Sequence, residues 1–208
     1  AVMAQAFPAL ILRADGVSAT GSFAEAQASF LDPDPATVGR LKELLAASDA
    51  GVVAHFYMDA ELQGALMATG WKRLQISDSL VMADRAVVMA EQGARAIVVL
   101  GVDFMSENVR AVLDAAGHTD IPVYRVAAEP IGCSLAAAAE APAYAAYLKK
   151  AAETPNSLHV VYINTSLRTK ANAQATIPTI TCTSSNVVQT VLETFAEQPD
   201  AHVWFGPD

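Results

Sequence analysis

His55 and Tyr57 stand two residues apart at the end of an apolar, β-branched run, Gly51-Val-Val-Ala-His55. Both side chains can move a proton or hydrogen-bond a carboxylate near neutral pH, and a place just past a strand would aim them at a bound molecule. A histidine that only satisfies loop backbone groups accounts for the same spacing. Ser79, in Ser77-Asp78-Ser79-Leu80, and Ser184, in Thr183-Ser184-Ser185, each stand before a helical pattern. Each fits an ordinary N-cap, or a ligand for phosphate or carboxylate at the positive end of the helix, and the two uses are compatible. Tyr162 and Asn164 close a further strand-like run, His159-Val-Val-Tyr162-Ile-Asn164. Cys133 lies in Ile-Gly-Cys-Ser-Leu, where the glycine before it and the helix after it would leave a thiolate accessible to a metal. A lone cysteine is also commonly structural, and Cys182, in Thr-Ile-Thr-Cys-Thr, alternates as a buried strand residue does.

These positions need elements to hold them. Short β-branched runs predict strands over residues 52–57, 74–76, 96–100, 122–126, 158–163, 179–181 and 202–205. Between them, apolar residues at core-facing intervals predict helices over 36–47, with Thr37 as cap, and over 59–69, 80–92, 106–116, 135–152 and 186–196. Strands alternating with helices mean an α/β fold with parallel sheets. Residues 1–36 mix Ala, Ser, Gly and Pro without sustained periodicity and end in Asp32-Pro-Asp-Pro35, which reads as a linker with a short helix. A weak internal repeat pairs Gly51–His55, Ser79 and Gly101 with His159–Asn164, Ser184 and Gly206, the serine-to-glycine separation being the same in both halves. The chain therefore reads as two similar three-layer α/β/α units, residues 37–128 and 129–208. Parallel units of this kind bind ligands beyond the carboxyl ends of their strands, where every polar residue named above falls.

Composition removes several classes of function. A net charge of −9 with no run of Lys or Arg would repel a phosphate backbone, so nucleic acid is not an expected partner. The longest apolar runs, such as residues 96–102, fall far short of the roughly 20 residues that a membrane-spanning helix needs. Two cysteines give no disulfide framework and favour a reducing compartment. The chain opens at Ala1 without the look of a transit or signal peptide, and its start is read as a domain boundary.

Together these positions resemble the quinolinate synthase family. Ala54-His55-Phe56-Tyr57 with Glu61-Leu62-Gln63 matches its Ala-His-x-Tyr and Glu-x-Gln elements, and Asp78-Ser79-Leu80 its Asp-Ser-Leu element. Gly101-Val-Asp-Phe-Met-Ser-Glu107, Tyr162-Ile-Asn164, Thr183-Ser184-x-Asn186 and the terminal Phe205-Gly-Pro-Asp208 match in order, and Cys133 stands where the family has its first cluster cysteine. Phe56, Met58 and Ser77 depart from the bacterial pattern and resemble the plastid branch. The resemblance implies a pseudo-threefold fold of three α/β/α domains, incomplete here, with one cysteine from each holding a [4Fe-4S] cluster. Cys133 would be the first, the other two lying beyond Asp208. It further implies condensation of iminosuccinate with dihydroxyacetone phosphate in NAD biosynthesis. His55, Ser79, Tyr162, Asn164 and Ser184 would bind substrate, and His55 and Tyr57 would transfer protons. A plastid location, a cysteine desulfurase acting through an upstream activator domain and a homodimer are the associations it suggests. Residues 1–208 alone would be inactive.

Two other readings compete. Ser79 could be the nucleophile of a Gly-Asp-Ser-Leu type hydrolase, with Asp200-Ala-His202 the nearest match to the Asp and His that such a site needs. A non-catalytic ligand-binding module would need no further cysteines.

Overall fold

Val52, Val53 and Ala54 are almost wholly shielded from solvent, because the strand that carries them is covered on both faces. The computed structural model describes residues 7–207, so the first residues of the expected linker and Asp208 of the terminal motif lie outside the described residues. In chain order the first elements are β1 (Ala9–Arg13), β2 (Gly16–Thr20), α1 (Ser22–Ser29) and α2 (Pro35–Ser48). Next come β3 (Ala50–His55), α3 (Ala60–Ala68), β4 (Leu74–Ser77), α4 (Ser79–Glu91), β5 (Ala96–Leu100), α5 (Asp103–Ala115) and β6 (Val123–Arg125). The remainder is α6 (Ser134–Ala139), α7 (Pro142–Ala152), β7 (Ser157–Tyr162), α8 (Leu167–Thr176), β8 (Thr179–Cys182), α9 (Val187–Glu197) and β9 (His202–Gly206).

Two parallel sheets result, ordered β4-β3-β5-β6 and β8-β7-β9. In both, the first strand of the set lies between the second and the third, so the halves of the sequence repeat share one strand order. On the first sheet, Val53, Ile97 and Val99 pack against Met82 and Ala86 of α4 and Val109 and Leu113 of α5. Their neighbours Val52, Ala54 and Leu100 face the other way, onto Leu45 of α2 and Leu66 of α3. Truncating Met82, which is fully buried, to Ala would cost about 2–5 kcal/mol. Beside the second sheet, Leu148 and Ala151 of α7 meet Ala173 of α8, Ile177 and Trp204. Ile163, just past β7, is buried instead in the core of the first sheet.

The helix ends have local causes. Asp34, not Thr37, caps α2, accepting the Thr37 N–H at 2.8 Å, and Pro35 follows at a position that needs no donor. Asp78 caps α4 through the Leu80 and Val81 N–H groups. The single helix expected over 135–152 is two, α6 and α7, because Pro142 cannot continue the backbone ladder of the first. Two elements escaped the sequence reading. The segment taken as a linker with a short helix carries, besides α1, the antiparallel hairpin β1-β2, turned at Ala14-Asp15 before Gly16. Helix α8 is polar along most of its length and lacks an apolar stripe.

Candidate functional site

A cavity of about 380 Å³ opens at the carboxyl ends of both sheets. The first sheet contributes His55, Tyr57 and Met58 after β3, Ser79 after β4 and Gly101 after β5. The second contributes Tyr162 and Asn164 after β7 and Ser184 after β8, and Cys133 enters between the two sets. All seven residues singled out from the sequence thus line one cavity, although they lie on five separate stretches of chain. A Cβ at Gly101 would meet the Met105 sulfur, so a larger residue there requires the Met105 side chain to shift.

His55 is 7% exposed, and its Nδ1 accepts the Tyr57 N–H at 3.2 Å. That bond places the proton of the neutral ring on Nε2. Burial pushes the imidazole pKa below its ordinary value, and the Asp78 carboxylate opposes this only in part. The ring stacks on Phe56 at 4.8 Å, while Tyr57, 82% exposed, stands edge-on at the mouth. Gln63 holds this turn closed: its amide donates to the carbonyls of Phe56 at 3.0 Å and Met58 at 2.6 Å.

The two serines share a device. Neither is the cap of its helix. Asp78 takes the capping bonds of α4, and Ser79 follows it, 5% exposed, as the first helical residue. At the second site Asn186 Oδ1 accepts the Thr183 N–H at 2.8 Å, and the Thr183 hydroxyl bonds Ser185. Flanking residues shape both turns, and the capping and turn bonds leave out the Ser79 and Ser184 hydroxyls, which face the cavity.

Cys133 is half-buried, and its Sγ accepts a hydrogen bond from Asn164 Nδ2 at 3.6 Å. The stretch before it is anchored by Asp103, whose carboxylate accepts the Ile131 N–H at 3.1 Å and pairs with Arg125, and whose own N–H donates to Ile131 O at 2.9 Å. Cys182 is fully buried on β8, as its alternation implies, and burial pushes its thiol up to about 11. Among the described residues no three His, Cys, Asp or Glu side chains group so as to hold a metal ion. The positioning parts played by Gln63 and Asp103 were not read from the sequence, because each acts on backbone brought near it only by folding.

The hydrolase reading loses its partners here. His202 opens β9, at the end of the sheet away from the cavity, with Nδ1 on Pro155 O at 3.0 Å, and Asp200 accepts from Asn156. Neither can reach Ser79. Among the described residues no helix is long and apolar enough to cross a membrane.

Fold and site together define an α/β protein with a cavity, lined in part by polar side chains, between the strand exits of two parallel sheets. Comparison with known proteins narrows this. The family described as Quinolinate synthetase A protein matches residues 39–208. The chain is 60% identical over 204 residues to "Quinolinate synthase, chloroplastic" of Arabidopsis thaliana, covering 97% of this chain and 28% of that one. It is 61% identical over 204 residues to the protein of that name from Nicotiana tabacum, with the same coverage. It is 57% identical over 205 residues to that of Oryza sativa subsp. japonica, covering 97% of this chain and 29% of the other. The chain belongs to the quinolinate synthetase A family. It spans about 28% of the length of the Arabidopsis and Nicotiana relatives.

Proposed function

We propose that this chain is part of a plastid quinolinate synthase, which joins iminosuccinate to dihydroxyacetone phosphate and releases quinolinate, phosphate and two waters. The observation that carries the reading is the convergence of His55, Tyr57, Ser79, Cys133, Tyr162, Asn164 and Ser184 on one cavity. The names of the relatives support the reaction and the compartment.

The neutral His55 offers Nε2–H to a carboxylate without itself carrying charge. The hydroxyls of Ser79 and Ser184 and the polar ends of Tyr162 and Asn164 complete a ring of donors that suits a four-carbon dicarboxylate. Tyr57, at the mouth beside His55, is placed to exchange protons with solvent and with the imidazole. Cys133 fits one thiolate of a [4Fe-4S] cluster: its sulfur faces the cavity and meets an N–H donor, as ligating sulfurs commonly do. When bound, the cluster supplies an open iron as Lewis acid. The other two cysteines come from outside residues 1–208, so this piece alone neither keeps a stable cluster nor makes quinolinate. The domains run over 37–128 and 129–208, after an amino-terminal segment that carries the hairpin and α1. A cysteine desulfurase delivering sulfur through an upstream activator domain, and a homodimer, complete the assembly.

The test is anaerobic quinolinate formation by the full parent protein and by its Cys133→Ser variant, with iron content measured alongside. Activity in the parent, lost together with iron in the variant, is expected. A parent with its cluster reconstituted but no product would leave a ligand-binding protein in place of an enzyme.

A further inference from the structure

Asn164 stands at the apex of a three-residue turn, in which the Thr165 N–H donates back to Ile163 O at 2.7 Å. Such a bond between residues two apart bends the chain more sharply than a β-turn. The carbonyls on either side of Asn164, those of Ile163 and Thr165, both meet the Lys170 ammonium, which lies 2.9 Å from Ile163 O. Two carbonyl oxygens converging on one point repel each other unless a donor stands between them. An ammonium, with three N–H groups and no acceptor, meets that need.

Lys170 itself does not line the cavity. It projects from α8 beneath the turn, with its Nζ 5.7 Å from the centre of the Phe104 ring and Glu107 as the neighbouring negative charge. Burial lowers its pKa to about 8, which is the cost of keeping a cation there. That cost is offset by two buried carbonyls for which no water need be found. From the turn so held, the Asn164 amide reaches Cys133 Sγ at 3.6 Å.

We propose that Lys170 is a positioning residue: by locking the Ile163–Thr165 turn it aims the Asn164 amide into the cavity, at Cys133 and at the carboxylate bound beside it. The proposal rests on the reading of this cavity as the iminosuccinate site. It assigns Lys170 no contact with substrate, so its effect must pass through Asn164.

The test is a mutant cycle in the full-length parent protein, reconstituted anaerobically. Wild type, Lys170→Met, Asn164→Ala and the double variant are compared for affinity for succinate, a stable analogue of iminosuccinate, and for kcat and KM. Loss of one amide hydrogen bond to a carboxylate predicts about tenfold weaker succinate binding in Asn164→Ala, nearly as much in Lys170→Met, and no further loss in the double variant. Lys170→Arg, which keeps charge and donors, should remain within about threefold of wild type. Iron content should stay at the wild-type level in Lys170→Met. If that variant does not fold, Lys170→Gln takes its place in the cycle. Wild-type affinity in Lys170→Met, or a loss that adds in full to that of Asn164→Ala, would overturn the proposal, as would a wild type that binds no succinate. Wild-type quinolinate formation reports separately on the reaction: if it fails while the succinate cycle shows coupling, the positioning role stands and the enzymatic reading falls.

Discussion

The Glu107 carboxylate accepts the Leu167 N–H at 2.8 Å, so a side chain from α5, beside the first sheet, caps the first turn of α8, beside the second. One turn earlier on the same helix, Asp103 holds Ile131, just before Cys133. Residues four apart lie on one helix face, and these two carboxylates grip the second half of the chain at two points. Glu107→Ala leaves the Leu167 amide without its acceptor and removes a negative charge from a helix N-terminus. The parent protein should lose about 1–2 kcal/mol in denaturant unfolding, and Glu107→Gln, which keeps an acceptor, should lose less. Equal losses in the two variants would mean that the charge contributes nothing.

His55 should act as a neutral donor. Its pKa lies below the ordinary histidine value, so raising the pH from about 7 to 8 removes no proton from it, and carboxylate binding through Nε2–H should not weaken over that span. His55→Gln, which keeps an amide donor but cannot carry a proton, should lower kcat/KM by about 100-fold. An activity loss centred near pH 6.5 on raising the pH, and missing from His55→Gln, would instead show that the imidazolium does the work.

The seven strands and most of the helices were legible because β-branched runs and apolar spacing survive in the sequence, Val52–Ala54 and the α5 stripe of Phe104, Val109 and Leu113 being plain cases. The hairpin was not, although Asp15-Gly16 between short apolar runs is a turn signal of the kind that hairpins use. Helix α8 was hidden by its polarity: it is held by the Ser166 cap, by Glu107 and by Lys170 rather than by a buried stripe. The residues that line the cavity could be read from their strand exits. Those that brace it could not, because Gln63, Asp103, Glu107 and Lys170 each serve a backbone group that only the fold brings within reach.

His159 makes a separate prediction about stability. It is fully buried, with Nε2 2.8 Å from the Tyr144 hydroxyl and Nδ1 3.3 Å from Thr179 Oγ1, whose own hydrogen goes to Ile177 O. The neutral ring therefore carries its proton on Nδ1 and accepts from Tyr144, whose hydroxyl burial keeps protonated. Burial lowers the His159 pKa to about 4 from an ordinary 6.5. The folded state binds its proton less readily than the unfolded state, so the contribution is whole above pH 6.5 and is lost as pH falls toward 4, to a total of about 3 kcal/mol. Melting of the parent between neutral pH and about pH 4.5 should show this slope, and His159→Gln should flatten it.

The two thiols should differ in reactivity. Cys182 has no exposure and a raised pKa, while Cys133 faces the cavity. Brief alkylation of the cluster-free native protein near neutral pH, followed by peptide mass mapping, should modify Cys133 and spare Cys182 until the protein is denatured. Early labelling of Cys182 would contradict the burial of β8.

The cavity walls rise from two sheets that share no strand, and Ile163, with Cys133 beside it, seats apolar side chains of the second half in the core of the first sheet. Mechanically this makes a pair of jaws, joined by that apolar seat and by the grips of Asp103 and Glu107. Neither jaw borrows a strand from the other, so each sheet completes its own ladder without the opposite wall. A ligand held by both rims would work as a tie bar across a seam that no strand pairing crosses.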